Sequence, residues 1–506
     1  MRMNRRRIAQ YSILGVSILV LLWLLWEKLQ FGLIRYFDAD EMAYLHWAHS
    51  VFTGNIPYRD FLSYVPPGFY YALAPLYWFF HGADILGAAR VYAFVVFTGV
   101  TLVSSYLFWR IRKSWISIIA GILLVFLPIP SDKFIEIRPD NLATLVVLLG
   151  ALFHIMAFEK GSSRRYWFLS GMLYAASFLI LPKTLPQVAV GCGVTVCWWI
   201  WGDGTVRVRS SMAWMFSAGL FFPIGIFLLW VAGMIHTPDQ LGTVWYSLAR
   251  LPLEVNKIGA LFPMEPYQFF YPNALLYGEG GWGAGLIANH AIWLAGLLMG
   301  AIRLVTPLLP NGKKGAWAEL IVGLSFFGYI ALFIYGYPMR HEQYLIPIGV
   351  YAAWYAADGL FCVWTMVQNH AGLRILVSAG IILLLYGVFT LSGRINEQKG
   401  LYTNAGDYRV LREALRLIPN NAYVFDLVGS TIYFRDPYYV SAVPFGQWEP
   451  YLSKPLPSLK EMLIRTNTPY VYEGQLGRTD SLSPEDKAYI TSVFHPVPGM
   501  PGLLSR

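Results

Sequence analysis

Charge is scarce in this chain. Asp, Glu, Lys and Arg make up 13% of its 506 residues, against roughly 25% in an ordinary soluble domain. That excludes a soluble enzyme, a charge-rich disordered protein and a fibrous one. Cysteine is scarcer still. Cys192, Cys197 and Cys362 all lie in apolar runs, so neither a disulfide framework nor a cysteine metal site is expected. There is no Asn-x-Ser/Thr sequon, no internal repeat, no low-complexity tract and no glycine-rich nucleotide loop. Period-2 alternation is missing as well, which excludes an outer-membrane barrel. What the chain has is apolar bulk. It is 56% hydrophobic with a mean hydropathy of +0.48, and it carries 19 Trp, 33 Tyr and 32 Phe. This is the composition of a multi-span α-helical membrane protein.

Crossing ~30 Å of hydrocarbon takes about 17–25 apolar residues. Eleven runs qualify: 11–29, 89–109, 115–131, 140–158, 166–181, 186–201, 212–234, 284–304, 317–336, 344–365 and 372–391. The first follows four arginines and reads as an uncleaved span rather than a signal peptide, because its apolar stretch is too long and no small-residue cleavage site follows. A twelfth run, 66–80, is short and broken by Pro66, Pro67 and Pro75. If it does not cross, and the N-terminus is cytoplasmic, the inner segments hold 16 basic residues against Glu159 and Asp203. If it crosses, the clusters Arg110–Lys113 and Arg164–Arg165 face outward, against the positive-inside rule. The reading is therefore about 11 spans, with 66–80 a juxtamembrane or re-entrant helix on the outer face. The net charge of +9 is topological, and no nucleic-acid partner is expected. A compositional break divides a transmembrane domain, 1–391, from a small extracytoplasmic α/β domain, 392–506. The tail's pattern predicts helices near 407–417, 457–466 and 484–493 and strands at 422–427, 438–442 and 469–473.

Ionisable residues at membrane depth are costly and mark function by default. Here they gather on the outer side. Asp38, Asp40 and Glu41 follow the first span directly. A solvated helix start accounts for them, since acids are favoured at a helix N-terminus. So does a general base or cation site, since close like charges raise at least one pKa. Between the third and fourth spans stands Ser131-Asp132-Lys133-Phe134-Ile135-Glu136-Ile137-Arg138-Pro139-Asp140-Asn141. Pro139 suits a helix's first position, and an ordinary capped helix start with an Arg–Asp pair is the plain reading. Lys183 and Arg340 lie at outer span ends. Such cations usually snorkel to headgroups, but on the outer face a bound phosphate also explains them.

In order, these pieces are a span, Asp40-Glu41 with Tyr44, Gly54 and Tyr58, Pro66-Pro67-Gly68 with Tyr70-Tyr71, Arg90, Arg138-Pro139-Asp140-Asn141, Lys183-Thr184, and Arg340 ahead of Tyr344-Leu345-Ile346-Pro347. Over about 1–391 the chain resembles the GT-C type of polyprenyl-phosphate-sugar-dependent glycosyltransferases, in the bacterial branch related to protein O-mannosyltransferases and the lipid A aminoarabinose transferase. The resemblance implies a GT-C-like polytopic fold in the bacterial cytoplasmic (inner) membrane, with a polyprenyl-phosphate sugar donor, surrounding membrane lipids and a glycan, lipid or protein acceptor. It implies catalytic roles among Asp40, Glu41, Asp38 and Asp140, with Asp40 matching the first-loop base. It implies substrate contacts among Tyr44, Arg59, Arg90, Arg138, Lys183, Arg340, His341 and Tyr344. No cofactor is firmly implied; a divalent cation, if used, would sit at Asp40 and Asp140. Two departures stand out. Asp38 is a third acid, and Val65-Pro66-Pro67 lacks a lysine that many relatives carry there, whose charge Arg59 or Lys183 would supply. A flippase for lipid-linked sugars would show inverted repeats, and none is visible. A non-catalytic glycan-binding protein is opposed by the first-loop acids.

Overall fold

The structure is a computed structural model and describes residues 5–159, 163–260, 282–306, 316–336, 340–400, 403–474 and 478–506. In hydrocarbon a segment has to satisfy its own backbone N–H and C=O groups, so apolar runs fold as helices. Every one of the eleven predicted runs lies on helix. In chain order the helices of the first half are α1 Arg5–Ile34, α2 Ala39–Phe52, α3 Gly68–Leu73, α4 Asp84–Arg112, α5 Ser117–Phe126, α6 Pro128–Phe134, α7 Pro139–Glu159, α8 Arg164–Ile180, α9 Leu185–Trp201 and α10 Val206–Met234. There follow α11 Pro238–Trp245, α12 Leu251–Asn256, α13 Trp282–Val305, α14 Ala316–Ala331, α15 Ile346–Val367 and α16 Ala371–Lys399. Among the described residues, nine helices are long and apolar enough to cross a membrane. The other two predicted spans are shorter. α8 has 17 residues, and the run 115–131 is cut into α5 and α6. The cut falls at Leu127, whose ψ of 115° is the extended conformation that a following proline imposes.

Close packing of α8 on α10 rests on two glycines. A Cβ at Gly171 would stand 2.1 Å from the Phe216 carbonyl oxygen, and one at Gly219 2.0 Å from that of Phe168. Small residues of this kind let two membrane helices approach backbone to backbone. Run 66–80 forms α3 and a 3-10 turn, Ala74–Trp78, whose Trp78 and Phe79 are exposed, as at a membrane–water interface. Between the runs 212–234 and 284–304, residues 235–260 fold as α11, α12 and adjoining turns, and 261–281 lie outside the described residues.

The tail continues as α17 Ala405–Leu417, α18 Leu459–Arg465 and α19 Pro484–Val493 around a four-stranded sheet. Strand β1 (Val424–Asp426) pairs parallel with β2 (Tyr470–Tyr472). Antiparallel to β2 runs β4 (Leu503–Ser505), and β3 (His495–Pro496) pairs antiparallel with β4. The predicted strand 438–442 is not one. Tyr438, Val440 and Ala442 are buried by packing rather than by pairing, and Ala442 has a φ of 57° that breaks extension. Strands β3 and β4 escaped the sequence reading. The boundary expected at 391/392 falls inside α16, and the tail does not stand apart. Asn404 donates to the carbonyls of Ile34 (2.9 Å) and Leu33 (2.7 Å), His46 meets Asp436 at 2.7 Å, and Tyr433 donates to the Gly82 carbonyl at 2.8 Å. One apolar core joins Leu45, Trp47, Phe69 and Leu86 to Leu411, Phe425, Val440 and Val471.

Candidate active site

The three acids after α1 have three different surroundings. Asp38 is the N-cap of α2: its carboxylate accepts from Asp40 N–H (2.9 Å), and Glu41 Oε1 accepts from Asp38 N–H (2.9 Å), closing a capping box. Glu41 is fully buried. It also receives Arg90 Nη2 at 2.8 Å and Ile137 N–H at 2.8 Å. Burial, helped by the nearby Glu136 charge, holds the Glu41 carboxyl above its ordinary range despite Arg90. Both residues of the capping box are thus bound into the fold. Asp40 is the most open of the three, with 42% of its side chain exposed against 30% for Asp38, while Arg138 Nη1 reaches it at 2.8 Å. The surrounding protein disfavours its charge, but Arg138, aided by Arg478 and His341, outweighs that and holds the carboxyl below the usual carboxylate range. Asp40 is therefore ionised at neutral pH.

Arg138 is held from beneath. Its Nε donates to Glu136, and its Nη2 lies 3.2 Å from Asp38. Glu136 is fully buried and also takes Arg35 and Lys133, the latter at 2.9 Å. Lys28 closes the series on Asp132 at 3.0 Å. Glu136, Arg35, Lys133, Lys28 and Asp132 were absent from the sequence candidates. Asp132, Lys133 and Glu136 stood in the quoted 131–141 cluster, so the available signal was a set of charges too dense for an apolar surrounding.

Asp140 sits in the first turn of α7, begun by Pro139. Lys183 Nζ lies 3.1 Å from it and 3.8 Å from the Tyr344 ring centroid. These three, with Ala143, Thr144, Leu181, Thr184, Tyr329, Leu332, Phe333 and Pro347, line a narrow cleft of about 20 Å³ in which the charged Asp140 and Lys183 meet mostly apolar side chains. His341 stacks edge-on to Tyr344 at 6.1 Å and lies within electrostatic reach of both Asp40 and Lys183.

The other sequence candidates fall elsewhere. Arg340 donates to the Phe333 and Ile334 carbonyls (3.2 and 2.7 Å) at the end of the α14 segment, whose Phe333 lines the cleft. Arg90 is buried on Glu41 and on the Phe37 ring, 4.4 Å from its centroid. Tyr44 packs against Phe69 (5.3 Å) and Trp47 (5.8 Å). Arg59 pairs with its neighbour Asp60 at 2.8 Å on an exposed turn and meets none of the cluster. The two carboxylates considered for a metal, Asp40 and Asp140, are each taken by a cation, and among the described residues no three His, Cys, Asp or Glu side chains converge. No step is derived through a metal.

No family model matches this chain, and no curated protein matches it by sequence. Solved structures do match. ArnT from Cupriavidus metallidurans bound to undecaprenyl phosphate superposes with a TM-score of 0.58 at 13% identity, covering 98% of this chain and 97% of that one. In the apo state the same ArnT gives 0.59 at 12%. The Archaeoglobus fulgidus oligosaccharyltransferase gives 0.52 at 13%, over 91% of this chain and 69% of its own. The chain has the GT-C fold. Within it, the cleft and Asp40 share one end of the helix bundle with the tail, and the GT-C fold extends through that tail, since the likeness to ArnT runs over nearly the full length of both chains.

Proposed function

We propose that the protein is an integral-membrane glycosyltransferase that moves a sugar from a polyprenyl-phosphate donor to an extracytoplasmic lipid, glycan or protein acceptor. The single observation that carries this reading is the pairing of one part-exposed, ionised carboxylate, Asp40, with a neighbouring cleft in which Lys183 and Asp140 meet the apolar Leu181, Leu332 and Phe333. Such a cleft suits a lipid phosphate, with the phosphate at Lys183 and the first isoprene units on Leu181, Leu332 and Phe333. ArnT has been solved bound to undecaprenyl phosphate, which supports that class of donor here.

The chemistry follows from the charges. Asp40 takes the proton of an acceptor hydroxyl as its oxygen attacks the anomeric carbon. The bond from that carbon to the phosphate oxygen breaks, and the electron pair leaves with the polyprenyl phosphate, whose charge Lys183 stabilises. A single displacement from the face opposite the phosphate inverts the anomeric centre. Asp140 sets the position of Lys183, and Arg138 sets that of Asp40. The charge asymmetry of the loops supports an outward-facing site, a cytoplasmic N-terminus and an extracytoplasmic tail that positions the acceptor. The test is Asp40→Asn in the full chain, assayed for consumption of polyprenyl-phosphate sugars. Loss of a positioned base costs roughly 10²–10⁴-fold in rate, with insertion and thermal stability kept. Turnover near the wild-type value in that variant would remove Asp40 from the chemistry.

A further inference from the structure

The tail sends a cation to the same acid. At the end of β1, the Asp426 carboxylate accepts from the backbone N–H groups of Val428 (2.7 Å), Gly429 (3.0 Å) and Thr431 (2.8 Å), which folds 427–431 into a tight turn. Gly429 has a φ of 82° and lies flat on α2, where a Cβ would stand 3.0 Å from Ala43 Cα. Ala43 is three residues beyond Asp40, on the same helix face. The Arg478 guanidinium donates Nη1 to the Leu427 carbonyl of that turn at 2.5 Å. So Arg478 is fixed through Leu427 and Gly429 to the part of α2 that carries Asp40. His46, one turn further along α2, ties the same region to Asp436 and to the Ile432 carbonyl (3.0 Å).

Arg478 is half-buried and, among the described residues, has no carboxylate within ion-pair distance. Burial pulls its pKa down, against the opposing charges of Asp40, of Asp426, whose carboxylate is already spent on the turn's N–H groups, and of Asp38. Taking a guanidinium out of water without a matching anion is costly. Arg138 differs in kind, because it is saturated by Glu136, Asp38 and Asp40. Among the described residues the Arg478 fork has one nitrogen committed to Leu427 and makes no other hydrogen bond, a geometry suited to two oxygens of one oxyanion. Lys183 already serves the apolar cleft, where a lipid chain fits, and Arg478 approaches from the tail.

We propose that Arg478 is a substrate-binding residue supplied by the C-terminal domain: it holds an oxyanion carried by the acceptor and thereby sets the acceptor hydroxyl against Asp40. This rests on the glycosyltransferase reading for the word acceptor. The binding measurement that tests it needs no turnover.

The full-length protein in detergent is first saturated with undecaprenyl phosphate, which fills the donor side, and is then titrated calorimetrically with inorganic phosphate. Wild type is expected to take up phosphate under these conditions. Arg478→Gln should weaken that uptake about tenfold or more while leaving undecaprenyl phosphate affinity within about twofold. Lys183→Gln should do the converse. Arg478→Lys keeps a donor for Leu427 but loses the fork, so it should fold as wild type and still bind phosphate several-fold more weakly; it stands in if Arg478→Gln loses its thermal transition. Three results overturn the proposal: no phosphate uptake by the saturated wild type; unchanged uptake by both Arg478 variants, which leaves the residue as a fastening of the 427–431 turn; or a loss of undecaprenyl phosphate affinity in Arg478→Gln matching that of Lys183→Gln, which moves it to the donor side. Failure to consume any polyprenyl-phosphate sugar would instead overturn the proposed function and leave the phosphate result standing.

Discussion

Two ionic clusters sit at opposite ends of α4, about 33 Å apart at 1.5 Å per residue between Arg90 and Arg112. At the far end, Asp358 on α15 is fully buried and takes Arg112 Nε (2.6 Å) and Arg303 Nε (2.6 Å), while Arg112 also meets Glu319. This joins four helices, α4, α13, α14 and α15. At the near end, Glu136 plays the same hub role for Arg35, Lys133 and Arg138. The residue types and pairings are alike. The difference lies above the hub. Over Glu136 stand the exposed Asp40 and a cleft, whereas Asp358 is enclosed by its own arginines. Burial and saturation make a fastening; a saturated base beneath one open carboxylate makes a site. Charge clusters in a membrane protein are therefore sorted by what remains unsaturated, not by how many charges they hold.

Opposite substitutions test this contrast. Asp40→Asn is expected to lose roughly 10²–10⁴-fold in turnover with its thermal midpoint unchanged. Asp358→Ala leaves Arg303 without its carboxylate and Arg112 with Glu319 alone, and breaking a buried pair from one side costs roughly 3–5 kcal/mol. Its expected signature is a lowered unfolding midpoint in detergent, with turnover per folded molecule preserved. Asp358→Ala with normal stability, or Asp40→Asn with a collapsed midpoint, would invert the assignment of the two ends.

A smaller effect sharpens the near end. As the proposed base, Asp40 has to be ionised, so the rate is expected to fall as pH drops through its pKa, which Arg138 holds below the ordinary carboxylate range. Arg138→Gln should move the acid limb of the rate profile to higher pH. An acid limb that stays where wild type has it would mean that another group governs that limb.

The spans were legible because hydropathy is a one-dimensional signal and every apolar run became helix. Leu127 shows its limit: two prolines split one run into two helices without altering its hydropathy. The site was half legible. Asp40, Asp140 and Lys183 stood out by their position at span ends, and the structure brings Asp140 and Lys183 together at 3.1 Å. The helix-start reading of the acids was right in kind, since Asp-x-x-Glu at 38–41 has capping-box spacing. It gave no hint that Glu41 is wholly buried rather than solvated. Arg478 could not be read at all: it is an ordinary arginine in a polar tail until β1, its turn and α2 meet in space. Strands β3 and β4, at two and three residues, are too short to leave a period.

The smallest predicted effect concerns the joint between the two regions of the near end. His46 on α2 is buried, which disfavours its charged form, but Asp436 at 2.7 Å outweighs this and raises its pKa above the ordinary His value. A group whose folded pKa is raised contributes stability that is complete below its unfolded pKa, about 6.5, and is lost as pH climbs through the folded value. The attachment of 426–436 to α2 should therefore loosen as pH rises above about 6.5 and through the raised folded value. His49, pushed down to about 4 by burial, stays neutral across that window and cannot supply the slope. Hydrogen exchange of 426–436, measured at several pH values and corrected for intrinsic exchange, should show protection falling with pH in wild type and flat in His46→Gln. An equal slope in the variant would show that the His46–Asp436 contact does not govern the joint.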